Sequence, residues 1–172
     1  NRPVQLTVSR NQMFTNTNMR QRNEQRIKIG AKSDGTLTAL SHDTLSHTST
    51  YEQYQEACGT VTKMLYKTPN NSVTHRLMPM NLQTPFAMRA PGEATGSFAL
   101  ESAMDEMAFK LNMDPIAFRI KNDTQVDPSN GKPFSSRLLN ECSRLGAKEF
   151  GWENRPKKPA SKSEGNWLVG YG

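Results

Sequence analysis

The chain has 172 residues and a mass of 19.3 kDa, the size of one ordinary domain. Hydrophobic residues make up 34% of it, and its 11 glycines bring the apolar share to about 40%, against ~45–50% in typical globular domains. A mean hydropathy of −0.75, with no run near the ~18–20 apolar residues of a membrane span, excludes a transmembrane helix. Residues 1–10 lack the apolar centre of a secretory leader, and Asn1 is not a methionine. A chain with no start residue, no leader and a thin core reads as a piece of something larger.

In chain order, Val4, Leu6 and Val8 alternate with polar residues, the period-2 signature of a half-buried strand. Residues 11–24 are polar and read as a long connection. Ile27, Ile29 and Ala31 alternate again, Asp34-Gly35 supplies a turn, and Leu37 and Ala39 resume the pattern, so a hairpin is predicted here. Residues 1–33 hold seven basic side chains against Glu24 alone, while the rest of the chain balances. With only Phe14 as an aromatic and no DNA-binding motif, this reads as basic outward positions on strands, and no nucleic-acid partner is expected.

Val73, His75 and Leu77 predict a further strand after the turn at Thr68-Pro69-Asn70. Pro79, Pro85 and Pro91 then stiffen an irregular loop. From Ser97, Leu100, Met104, Met107, Ala108 and Leu111 form one apolar helical stripe, with Glu101 and Asp105 opposite. Asp114-Pro115 predicts the cap and start of a short helix to about Lys121. Ser135 or Ser136 is a candidate cap for a third helix carrying Leu138 or Leu139, Cys142 and Leu145. Beyond Gly151 the composition is that of a linker, until Trp167-Leu168-Val169 begins another strand whose partners would lie beyond the chain.

The expected fold is therefore α+β: antiparallel strands with a hairpin, followed by two to three helices, as part of a larger domain. Residues 1–150 form that partial domain, divided into strands (1–80), an arginine loop (81–96) and helices (97–150). Residues 151–172 form the linker and strand start. Cys58 and Cys142, 84 positions apart, match no disulfide framework or metal spacing, and His42, His47 and His75 match no ligand set, so no residue here is expected to ligate a metal directly.

The stretch with chemistry is Met88-Arg89-Ala90-Pro91-Gly92-Glu93. It places a guanidinium on a stiffened turn directly before a helix start, where exposed N–H groups and the dipole favour an anion. Glu93 beside that start suits the dipole for structural reasons.

This turn, followed by Phe98-Ala99-Leu100-Glu101-Ser102-Ala103-Met104-Asp105-Glu106 and Met113-Asp114-Pro115 to Asn122, resembles the molybdenum cofactor-binding subunit of the xanthine dehydrogenase and aldehyde oxidoreductase family. Arg2-Pro3-Val4, Tyr66-Lys67-Thr68-Pro69-Asn70 and the segment from Gly165 to Gly172 extend the likeness over nearly the whole chain. The resemblance implies an interior fragment of a molybdenum hydroxylase that oxidises an aldehyde or N-heterocycle with oxygen derived from water, inactive alone. Molybdenum-molybdopterin, with the cytosine dinucleotide as one form, would be the cofactor. Iron–sulfur clusters and FAD would sit on partner domains or subunits, in the cytoplasm, or in the periplasm after export with a partner.

By that match Arg89 lies at the molybdenum centre, with Ala90 and Gly92 beside the cofactor, and Ala57 and Pro91 fall in the substrate pocket. The purine-oxidising branch has a stacking phenylalanine where Pro91 stands and a substrate arginine where Ala57-Cys58-Gly59 stands, so both departures favour aldehydes or other heterocycles over xanthine. The family's catalytic glutamate belongs to a Gly-x-Gly-Glu segment not present here, so no catalytic residue is expected in this chain. The competing readings are a non-enzymatic basic binding module and a purely structural domain.

Overall fold

The computed structural model describes residues 2–172, in two compact units, Asn1–Phe134 and Ser135–Gly172. The first unit is built on three strands, β1 (Asn23–Ala31), β2 (Leu37–Ser49) and β3 (Asn71–Met80), with β2 in the middle. The β1–β2 hairpin is antiparallel. Its turn closes through bonds from Lys32 N to Thr36 O and Gly35 N to Lys32 O, both 2.9 Å, with Asp34 Oδ1 accepting from Thr36 N. The Thr36 hydrogen bonds hold the Asp34 carboxyl below its ordinary pKa.

Strand β3 runs parallel to β2, which requires a crossover. Residues 50–70 supply it and include helix α2 (Thr60–Leu65). Helix α3 (Glu93–Lys110) lies on the sheet, and α4 (Pro115–Lys121) follows, capped as predicted by Asp114 Oδ1, which accepts from Ile116 N and Ala117 N. The α+β expectation holds, although α3 begins at Glu93 and not at Ser97, so its first turn belongs to the arginine loop.

The expected strand at Val4, Leu6 and Val8 does not form. The segment has no regular structure and pairs with no strand among the described residues, and Val4 is 92% exposed. Alternation without a partner strand leaves nothing to bury it against. Residues 11–24 are also more ordered than a plain connection, because Ser9 and Gln12 form a capping box on a helix of about two turns, α1 (Arg10–Asn16).

Apolar residues concentrate at the hairpin half of the unit. Leu37 and Leu40 of β2 pack with Val61, Tyr66, Leu100, Met104, Ala108 and Phe118. Leu100, Met104 and Ala108 are the fully buried part of the predicted stripe; Met107 and Leu111 are partly buried. Buried Asn122 ties this half together. Its Oδ1 accepts from Leu37 N at 2.9 Å, and its Nδ2 donates to Gly35 O and Phe118 O at 2.9 and 2.8 Å. On the flank, Arg119 bonds Glu101 and Asp105 at 2.6 Å each, and Tyr66 donates to Glu101. Burial and the Glu101 charge push the Tyr66 phenol well up.

The loop half of the same sheet face is polar. His42, Thr44, Ser46 and Thr48 alternate inward along β2 and are all buried. The Gln25 amide donates through Nε2 to Asn23 Oδ1 and Thr95 O, so its Oε1 must accept from His42 Nε2 at 2.8 Å. In the neutral ring, with its proton on Nε2, His42 Nδ1 accepts the Thr62 hydroxyl at 2.7 Å. Burial, with His75 nearby, lowers its pKa to about 4.

In the second unit, α5 (Leu139–Phe150) starts after Leu138 without a side-chain cap, so neither Ser135 nor Ser136 serves as one. Its apolar stripe buries nothing within the described residues. Trp167–Leu168 does form a strand, but its partner is Ser163–Glu164, giving a two-residue hairpin within the chain.

Two outcomes follow from these contacts. Replacing Asn122 (Asn122→Ala) strands one buried N–H and two carbonyls, and is expected to cost about 2–3 kcal/mol, read as a lower urea midpoint. For His42, the unfolded chain takes up a proton near pH 6.5 that the folded ring refuses until about pH 4. Stability is thus retained above 6.5 and lost as pH falls toward 4. A melting temperature that declines over this window, and declines less steeply in His42→Gln, is the expected result.

Candidate functional site

Three irregular segments meet at one end of the sheet: residues 17–22 before β1, 50–59 after β2 and 81–92 after β3. Buried Gln21 joins the first two. It donates to His47 O and Tyr54 O at 2.7 Å each and accepts from Glu56 N at 2.8 Å. The third is attached by Phe86 N to Met19 O at 3.0 Å, by Thr84 Oγ1 to Ser49 Oγ at 2.8 Å, and by stacking of Phe86 on Tyr54 at 5.3 Å. The N-terminus of α3 arrives at this same end.

Glycine allows that arrival. A Cβ on Gly96 would lie 1.9 Å from Cys58 O, and one on Gly92 would lie 2.8 Å from the Ala57 carbonyl carbon. The helix therefore rests directly on the Ala57-Cys58 backbone, and Cys58 Sγ meets Thr95 Oγ1 at 3.2 Å. Burial pushes the Cys58 thiol up, so it is a packed thiol and a poor nucleophile. Gly92 has φ +88°, and Ala90 has φ +56°, a left-handed conformation uncommon for a residue with a side chain.

The predicted residues are thus brought together. Gly92 is buried against Ala57, and Arg89, Ala90, Pro91 and Ala57 are exposed around it. Glu93 is exposed in the first helical turn, the structural position expected of it. Two residues without any local sequence signal underlie the turn. Arg20 donates from Nη2 to Arg89 O at 2.5 Å and from Nη1 to Ala90 O at 3.3 Å, and its Nη1 lies 3.4 Å from Oε1 of buried Glu56. Counted among the outward basic positions, Arg20 instead turns inward. Arg26 and Lys28 do face outward on β1.

The donor set suits an anionic group. The Arg89 guanidinium is exposed, and among the described residues no hydrogen bond or ion pair engages it. The peptide bonds are trans, so a carbonyl of Arg89 directed at Arg20 sends the Ala90 N–H the opposite way. No group of three potential metal-ligating side chains occurs among the described residues, and no helix there is long and apolar enough to cross a membrane. A shallow depression of about 580 Å³ at the other end of the sheet, near Lys28 and Asn70, gathers no chemistry.

Residues 1–123 match the molybdopterin cofactor-binding domain. The chain belongs to that family. Among its relatives, the aldehyde oxidoreductase molybdenum-binding subunit PaoC of Escherichia coli is 42% identical over 172 residues, covering 99% of this chain and 23% of the relative. A xanthine dehydrogenase molybdenum-binding subunit of Escherichia coli is 32% identical over 177 residues, with the same coverage. The solved aldehyde oxidoreductase of Desulfovibrio gigas superimposes with a TM-score of 0.68 at 27% identity, over 77% of this chain and 15% of that one. The chain thus spans about a quarter of the length of the curated relatives it matches.

The glycine contacts yield a paired expectation. Gly96→Ala should lower the melting temperature even though alanine favours helix by ~1 kcal/mol, because the Cys58 carbonyl must move. In α5 the same change at Gly146, where a Cβ meets nothing within 4 Å, should be neutral or stabilising.

Proposed function

We propose that the chain is part of the large subunit of an aldehyde-oxidising molybdenum hydroxylase, in which Arg89 holds an anionic edge of the molybdopterin centre. The observation that carries this reading is an unengaged, exposed guanidinium on a turn whose backbone is fixed from beneath. When bound, the cofactor supplies two-electron oxidation with oxygen taken from water.

This chain's part is to bind and orient. Arg89 offers a planar five-donor fork to oxygen or sulfur acceptors, and the Ala90 N–H adds a donor from the same turn. The amino end of α3 adds its positive potential. Pro91 and Ala57, exposed and without polar side-chain atoms, leave an apolar border that accepts an aldehyde, with no stacking ring at 91 and no arginine at 57 to hold a purine. Greater identity to an aldehyde oxidoreductase than to a xanthine dehydrogenase subunit supports the same preference.

In this reading the pterin carries a cytosine dinucleotide, and electrons leave through iron–sulfur and FAD partners. The base lies in another segment of the subunit, and the enzyme works in the cytoplasm.

The test is expression of the full-length subunit with its partners and assay of aromatic aldehydes beside xanthine. Aldehyde turnover without xanthine turnover is expected. Arg89→Gln should lower kcat per bound molybdenum by about 10²-fold with an unchanged melting temperature. Full turnover per molybdenum in that variant would reduce Arg89 to a surface residue.

A further inference from the structure

The Arg89 turn adopts a conformation uncommon for its residues. Ala90 carries a Cβ into the left-handed region, Pro91 has no N–H, and Gly92 at the helix start has no side-chain cap. The Arg89 carbonyl is drawn to one guanidinium, that of Arg20, and the Ala90 carbonyl is shared between the same guanidinium at 3.3 Å and Ala94 N of the first helical turn at 3.2 Å. Arg20 is in turn aimed by Glu56. This carboxylate is 1% exposed, and its Oε1 makes no hydrogen bond among the described residues, so the charge facing it is the Arg20 Nη1 at 3.4 Å from Oε1 and 3.5 Å from Oε2. A buried carboxylate is retained only where a cation or donors offset its desolvation. Thr95 Oγ1 adds one long donor at 3.5 Å, so Arg20 is the principal one.

We infer that Arg20 and Glu56 are positioning residues for the cofactor-facing turn, fixing the direction of the Arg89 side chain and of the Ala90 N–H. The inference rests on the reading of Arg89 given above. Glu56 lies in the crossover that leaves β2 and Arg20 precedes β1, so the pair couples the turn to two strands of the sheet. A lysine at position 20 keeps the charge but cannot reach both carbonyls and the carboxylate with one planar fork.

The test uses the full-length enzyme with its partners, loaded and unloaded, carrying Arg20→Lys or Glu56→Gln. In the unloaded protein, amide exchange over residues 88–94 is expected to rise about tenfold in either variant, while exchange in β2 stays unchanged. In the loaded protein, kcat per molybdenum should fall about tenfold with little change in KM. Arg20→Lys combined with Arg89→Gln should be no slower than Arg89→Gln alone, since both act through one group. Unchanged exchange at 88–94, or a double variant showing the product of the two losses, would overturn the assignment. If Arg20→Lys fails to accumulate, Glu56→Gln decides by the same exchange readout. Should Arg89→Gln be fully active while loop exchange still rises, the cofactor role of Arg89 fails and the positioning of the turn stands.

Discussion

The arrangement of the first unit depends on a close approach between two pieces of backbone. The first turns of α3 sit on Ala57 and Cys58 with no side chain between them, because Gly92 and Gly96 present none. That contact sets the height of the helix above the sheet, places its amino end among the three converging segments, and determines where Arg89 emerges. Helix-on-sheet packing elsewhere along α3 uses ordinary side chains, Leu100, Met104 and Ala108, and could absorb small changes in volume. A backbone-to-backbone contact has no such freedom.

Under this contact the interior changes character. Toward the hairpin, the face of β2 beneath α3 carries leucines; toward the loops it carries a histidine, threonines and a serine. His42 there is ordered through a directional chain from Thr62 to His42 to Gln25 to Thr95, linking α2, the sheet and the helix bearing the site, whereas the Thr44 and Ser46 hydroxyls make no hydrogen bond among the described residues. Such a chain specifies orientation more tightly than apolar packing, since each group has one satisfactory partner geometry. Arg20, Gln21 and Glu56 continue it beyond the sheet edge to the exposed turn.

The hairpin was legible in the sequence because Asp34-Gly35 and the alternation on both sides agree, and α4 because Asp114-Pro115 is a local capping signal. The full length of β2 was not, since its inward positions beyond Leu40 are as polar as its outward ones and give no contrast. Val4, Leu6 and Val8 show the converse: a strand-like pattern without a partner remains unpaired. Ser9-x-x-Gln12 was a readable capping box at the junction between the alternating run and the stretch read as a polar connection. Of the site, Arg89 and the glycines were visible because turn chemistry is local. Arg20 and Glu56 were not, because a contact spanning 36 positions leaves no spacing signature.

The graded interior gives the two ends of α3 different thermodynamics. Exposing leucine, methionine and phenylalanine raises heat capacity, whereas exposing hydroxyls, amides and imidazole lowers it. Opening at the hairpin end therefore follows a strongly curved temperature dependence and is favoured by cold. Opening at the loop end, around Thr44, Ser46 and Thr48, carries only a small heat-capacity change, so the turn that bears Arg89 keeps its order on cooling better than the apolar half does.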